Sequence, residues 1–147
     1  MPRARSTARA MWRGDLAEGG GRVSPESGAF GDQEVTWASR TSRSAGKTSP
    51  EELLASAQAA CYAMALSHTL TEGGHPPETI DVSATATFDT DAGPKITTME
   101  IDVRARVPGI DEAGFQEAAN GAKEGCPVSG ALEGNVDIQL SASLEGQ

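Results

Sequence analysis

Nineteen consecutive residues, Leu53–Thr71, contain no Asp, Glu, Lys or Arg. Ser49-Pro50-Glu51-Glu52 stands before this stretch and Gly73-Gly74 after it. A serine at the N-cap, a proline at the first helical position and a glutamate at the third form a capping box. The paired glycines supply the stop. The pattern predicts one helix from Pro50 to Thr71 or Glu72. Alanines at 55, 57, 59, 60, 63 and 65 let neighbouring backbones approach closely. A run this long is almost long enough to span a membrane, but Ser56, Gln58, Ser67, His68 and Thr69 make it too polar for that. A helix with no charged face belongs inside the protein, so the rest of the chain is expected to enclose it.

What surrounds the helix reads as sheet. Short strand-like pieces (Ala10–Trp12, Gly21–Ser24, Glu34–Ser39) are broken by Gly19-Gly20-Gly21 and Glu26-Ser27-Gly28, which read as hairpin turns. No Lys-Ser/Thr follows the glycine run, so a phosphate cradle there is disfavoured. After the helix, Ile80, Val82, Ala84, Ala86 and Phe88 alternate with polar residues. Asp89–Lys95 turns the chain, and Met99, Ile101, Val103, Ala105 and Val107 alternate on the return, giving a hairpin with one apolar face. Asp111 caps a second helix to about Lys123, with Ile110 stapled to Phe115. Gly125-Cys126-Pro127 breaks the chain before a short helical turn, and Val136, Ile138 and Leu140 suggest a last edge strand. Strands, helix, hairpin, helix and strand in that order predict an α+β fold, with antiparallel sheets packed around the buried cysteine-bearing helix and the second helix. At 147 residues the chain suits one domain: a flexible basic start over 1–9, then a single domain over 10–147.

Charge narrows the partners. Twelve Lys and Arg face 21 Asp and Glu, a net charge of −9. Arg3, Arg5, Arg9 and Arg13 stand in the first 13 residues with no acid among them, so the remainder is more acidic still. An acidic body repels phosphate backbones, which argues against nucleic acid as a partner. The basic start lacks the apolar core of a signal peptide, and cysteines in such a chain are expected to stay reduced, as in the cytoplasm. Cys61 and Cys126 with His68 and His75 could number four metal ligands, yet no CxxC or HxxxH spacing supports a zinc site. No metal and no bound cofactor is expected.

The two cysteines sit in different settings. Cys61, in mid-helix, reads either as a small apolar filler or as a reactive thiol that needs a nearby cation to offset burial. Pro127 pushes Cys126 out of the helical region and can start a short helix at Pro127–Glu133. A sulfur at that N-cap faces unpaired amides, which favour a thiolate, so Cys126 is expected to be the more acidic thiol. His68 follows Cys61 by two turns, about 10 Å, too far for direct proton transfer; a polar interface residue is the better reading. His75 reads as exposed.

Thr48-Ser49-Pro50-Glu51-Glu52-Leu53-Leu54, continuing through Ala59-Ala60-Cys61-Tyr62-Ala63-Met64-Ala65-Leu66, resembles the first cysteine helix of the OsmC/Ohr family. Gly125-Cys126-Pro127-Val128-Ser129 resembles its second cysteine motif. Trp12-Arg13-Gly14-Asp15, Val23-Ser24-Pro25-Glu26-Ser27-Gly28 and Val107-Pro108-Gly109-Ile110-Asp111 resemble the OsmC branch in particular, so the likeness covers nearly all of the chain from about Ala10.

The resemblance implies a thiol-dependent peroxidase that reduces organic hydroperoxides, and hydrogen peroxide less well, to alcohols. In it Cys61 is the peroxidatic thiol and Cys126 the resolving one. It also implies an intertwined homodimer and a catalytic arginine paired with a glutamate, by position Arg40 and Glu51. The span from Arg40 to Pro50 is one residue longer than the family's, which leaves Arg43 as the other candidate. An external dithiol, dihydrolipoyl groups in the family, recycles the disulfide. The rival from another class is a non-enzymatic redox sensor or small-molecule binding module using the same pocket; activated thiols favour turnover over binding. Glu51 and Cys61 are ten residues apart on one predicted helix, about 15 Å along its axis. If both serve one site, the second chain must supply the glutamate.

Overall fold

The computed structural model describes residues 3–43, 46–91 and 93–146. The chain divides into two compact units, residues 1–53 and 54–147.

The first unit is a three-stranded antiparallel sheet in the order β1-β2-β3 followed by a short helix. Strand β1 is Ala8–Arg13, β2 Gly20–Pro25 and β3 Gln33–Val35. Arg13 lies opposite Gly20 and Met11 opposite Arg22. The glycine run therefore does not form the turn itself: Gly14, at φ 88°, opens it, and Gly20 and Gly21 already belong to β2. Gly21 is needed because a side chain there would meet Met11 O at 2.5 Å and the Trp12 ring at 2.8 Å.

The expected strand Glu34–Ser39 is corrected. Only Gln33–Val35 is extended; Trp37–Ser42 is helix α1. The cause is a capping box of hydroxyl residues, in which Ser39 N–H donates to Thr36 Oγ1 and Thr36 N–H to Ser39 Oγ, both at 3.0 Å. Helix α1 is tied to the residues that precede the next helix. Thr48 N–H donates to Glu34 O (3.0 Å), and the fully buried Ser39 hydroxyl is 3.2 Å from Thr48 O.

Helix α2, Pro50–Glu72, matches the predicted span. Ser49 Oγ accepts from Glu52 N–H at 3.0 Å, and Thr48 Oγ1 donates to the Glu52 carboxylate at 2.8 Å. At the other end Gly74 adopts φ 85°, and the His75 amide closes back on Leu70 O at 2.8 Å, a Schellman-type stop. His75 itself is half-buried rather than exposed. The helix is not buried all round within one chain. Ala55, Gln58, Tyr62, Leu66 and Leu70 form a buried stripe at helical spacing, while Ser56, Ala57, Ala60, Met64 and His68 form an exposed one. No helix among the described residues is long and apolar enough to cross a membrane.

In the second unit β4 (Thr79–Asp89) and β5 (Lys95–Arg106) form the predicted hairpin. Its register pairs apolar with apolar: Ile80 with Ala105, Val82 with Val103, Ala84 with Ile101 and Ala86 with Met99. A slip of one residue would turn all of them to the polar face. Helix α3 (Glu112–Gly125) starts where Asp111 Oδ1 accepts from Gly114 N–H at 2.8 Å. Helix α4 (Pro127–Leu132) follows at once, and β6 (Asp137–Leu144) ends the fold.

Strand β6 occupies an edge as expected, but it runs parallel to β5, so this sheet is mixed rather than antiparallel. The reason is the connection: α3 and α4 carry the chain back along the sheet, so the next strand re-enters in the direction of β5. Met99, Ile101, Val103 and Ala105 then lie beside Ile138, Leu140, Ala142 and Leu144. These residues, Phe115 and Ala119 of α3, and Tyr62, Leu66 and Leu70 of α2 make one core.

Candidate functional site

Two groups of chemistry-bearing side chains are assembled, one in each unit. In the first, Arg40 and Glu51 are brought together. Arg40 sits on α1 immediately after the buried Ser39, and Glu51 sits in the first turn of α2 immediately after the Thr48-Ser49 cap. The bonds that Ser39 and Thr48 make to the backbone therefore fix both side chains. Arg40 Nε donates to Glu51 Oε1 (3.0 Å) and Oε2 (3.2 Å), and Nη2 donates to Oε2 at 2.8 Å. Glu51 is 6% exposed at its side chain and Arg40 30%. A carboxylate this buried requires a partner, and the planar guanidinium fork supplies two parallel bonds. Arg40 also lies over the Trp37 ring, 5.9 Å from its centroid.

Arg43 is placed differently. It pairs with the exposed Glu52 at 3.2 Å and donates to Ser39 O at 2.7 Å. An exposed single-point pair of this kind contributes about 0–1 kcal/mol. The buried fork belongs to Arg40, whereas Arg43 holds an exposed carboxylate.

In the second unit Cys61, half-buried on α2, and Cys126, 1% exposed, are free thiols, and each acts on the acidity of the other. Cys126 is the N-cap of α4 with extended backbone (φ −76°, ψ 119°), where Pro127 holds it. Burial raises the Cys61 pKa above its ordinary value of 9.0, and the Val128 amide offsets this only in part. Burial also pushes Cys126 upward. That push is outweighed by the Ser129 amide, the Cys61 thiol, the Ser129 hydroxyl and the Val128 amide, so its pKa is lowered. The more acidic thiol is Cys126, as its place at a helix start suggests.

Gln58 and Ser129 complete this cluster, and sequence reasoning passed over both. Gln58 is fully buried one turn before Cys61. Its Nε2 donates to Ser129 Oγ at 3.0 Å and to Cys126 Sγ at 3.6 Å. Its Oε1 is buried with no hydrogen-bond partner, which costs about 1–3 kcal/mol. The signal was available: Gln58 is the one amide in the uncharged stretch, at i−3 from Cys61. Tyr62, also fully buried, donates to Ala119 O at 2.8 Å, and burial raises its phenol pKa. His68 is exposed on α2. Among the described residues no group of three or more His, Cys, Asp or Glu could hold a metal ion.

The OsmC-like protein family matches residues 43–141, a span that includes Glu51, Cys61 and Cys126 and begins just after Arg40. Peroxiredoxin OsmC of Escherichia coli strain K12 is 42% identical over 136 residues, 90% of this chain and 94% of that protein. The organic hydroperoxide resistance protein OhrB of Bacillus subtilis strain 168 is 31% identical over 137 residues, 91% of this chain and 95% of that protein. The crystal structure of OhrB of Bacillus subtilis superposes with a TM-score of 0.69 at 28% identity, covering 93% of this chain and 98% of that one.

Proposed function

The chain belongs to the OsmC-like protein family, and on that footing we propose that it is a thiol-dependent peroxidase that reduces organic hydroperoxides, and hydrogen peroxide less well. The relatives named peroxiredoxin and organic hydroperoxide resistance protein support a peroxidase-type role. The observation that carries the mechanism is the pair of free thiols, Cys61 and Cys126, that act on each other and are of unequal acidity.

Cys61, as thiolate, attacks the distal oxygen of the hydroperoxide. The O–O bond breaks, the alcohol leaves with a proton, and Cys61 becomes a sulfenic acid. The Cys126 thiolate then attacks the Cys61 sulfur, water leaves, and a Cys61–Cys126 disulfide remains. An external dithiol, such as a dihydrolipoyl group, reduces it; no bound cofactor takes part. Burial keeps Cys61 protonated, so first attack requires a cation. Arg40 is assigned that role because its guanidinium is held in a fork by the buried Glu51; it stabilises the thiolate and donates to the peroxide. Ten residues of α2 separate Glu51 from Cys61, so Arg40 and Glu51 are assigned to the partner subunit of a homodimer. The uncharged exposed stripe of α2, including Met64 at 73% exposure, suits coverage by a second chain.

The test is peroxide consumption with a dithiol reductant. Wild type should consume cumene hydroperoxide and C61S should not; equal rates would leave the chain a binding or sensing role instead. Mixing E51A with C61S should recover part of the activity if the site is shared, and a properly mixed sample with no recovery would place both residues in one chain's site.

A further inference from the structure

We propose that Gln58 is a positioning residue for Cys126: its amide nitrogen, anchored on Ser129 Oγ, holds the Cys126 sulfur so that it is the leaving thiolate when the Cys61–Cys126 disulfide is reduced. The proposal rests on the peroxidase reading for its place in the cycle, but its geometry is independent of that reading. Gln58 is fully buried. Its Nε2 reaches both Ser129 Oγ (3.0 Å) and Cys126 Sγ (3.6 Å), so Ser129 fixes the amide that faces the sulfur. The opposite end of the amide, Oε1, is buried without a hydrogen-bond partner. Buried polar atoms are seldom left so, and an orphan points to a function that competes with stability. Turning the NH2 end toward sulfur suits a thiolate, which only accepts hydrogen bonds, better than a thiol.

The chemistry has a direction. A disulfide exchanges faster when the sulfur attacked is accessible and the departing thiol is acidic. Cys61 is half-buried and Cys126 almost wholly buried. The reductant thiolate therefore attacks Cys61 Sγ. The S–S bond breaks and its electron pair stays on Cys126, where the Gln58 amide N–H, anchored on Ser129 Oγ, receives the charge. The second thiol of the reductant then attacks the mixed disulfide, releasing Cys61 and leaving the reductant as a disulfide. Tyr62 and Cys61 are the titratable groups acting on Cys126. Neither a phenol nor a thiol carries a positive charge in any protonation state, so the uncharged donors must carry the stabilisation.

The experiment uses Q58M, close in shape but without the amide, Q58H, which restores an N–H donor, and S129A, which removes the anchor. Thiolate ultraviolet absorbance in a C61S background reads the Cys126 titration directly, with no peroxide involved. Its midpoint should rise by about one unit in C61S/Q58M, less in C61S/S129A, and return most of the way in C61S/Q58H. Reduction of the preformed disulfide by dithiothreitol should slow about tenfold in Q58M with little loss of thermal stability. An unchanged midpoint in C61S/Q58M would overturn the proposal, as would unchanged reduction of the Q58M disulfide. Failure of wild type to form the disulfide with peroxide would instead count against the peroxidase reading, while the titration still judges Gln58.

Discussion

The two assembled clusters stabilise negative charge in opposite ways. Glu51 is a carboxylate held by a guanidinium, with three N–H to O contacts of 2.8–3.2 Å to Arg40. Cys126 is a conditional anion held by amides, a hydroxyl and a second thiol, none of them charged. The first arrangement pairs full charges through a rigid fork and suits a fixed electrostatic part. The second makes charge on sulfur available without locking it there, which suits a group that must alternate between thiolate and disulfide. Cys61 has only the Val128 amide to set against its burial, and its raised pKa is the consequence.

The contrast can be broken most severely at the sulfurs. C61S should lose peroxide consumption entirely. C126S should still react once with peroxide, yet form no intramolecular disulfide and turn over far more slowly with a dithiol; equal turnover of C126S and wild type would remove Cys126 from the cycle. Next comes the fork. R40K keeps the charge but cannot make two parallel bonds, and turnover should fall about a hundredfold. R43K should stay within about twofold, because its pair with Glu52 is exposed. Steady-state rates of the two variants side by side decide which arginine the site uses, and the reverse order would exchange their roles.

A smaller effect sharpens the comparison between the thiols. The folded-state pKa of Cys126 is depressed, so its ionisation adds stability above the unfolded value near 9.0, and this is lost as pH falls through the folded value. The folded-state pKa of Cys61 is raised, so its contribution is present below about 9.0 and lost as pH rises toward the folded value. Denaturant unfolding across this range should show wild type gaining on C126S as pH rises and losing ground to C61S. Parallel curves for both variants would show that the thiols are not distinguished by their surroundings. Smallest is Y62F, which leaves Ala119 O without its phenol donor and should cost about 1–3 kcal/mol with turnover retained.

How far the sequence foretold this depended on whether the cause was local. Both ends of α2 were legible because Ser49-Pro50-Glu51-Glu52 and Gly73-Gly74 act on their own neighbours. The β4–β5 hairpin was legible from strict alternation. Helix α1 was not, because Glu34–Ser39 has the composition of a strand and only the reciprocal Thr36–Ser39 bonds turn it helical. The direction of β6 depends on where α3 and α4 deliver the chain, which no local pattern records. At the site, both cysteines stood out by type and Cys126 by its proline, whereas Arg40 and Glu51 came from family resemblance alone. Gln58 read as one more polar residue arguing against a membrane span; its meaning lies in Ser129 and Cys126, about seventy residues later in the chain.

The central claim, a peroxide-driven disulfide between Cys61 and Cys126, is tested most directly by adding one equivalent of cumene hydroperoxide to the fully reduced protein. Free thiols should then be counted and digested peptides mapped by mass. The expected result is loss of both thiols and a single linked peptide pair joining Cys61 to Cys126 within one chain. Retention of both thiols, or of one thiol beside an oxidised Cys61, would contradict it.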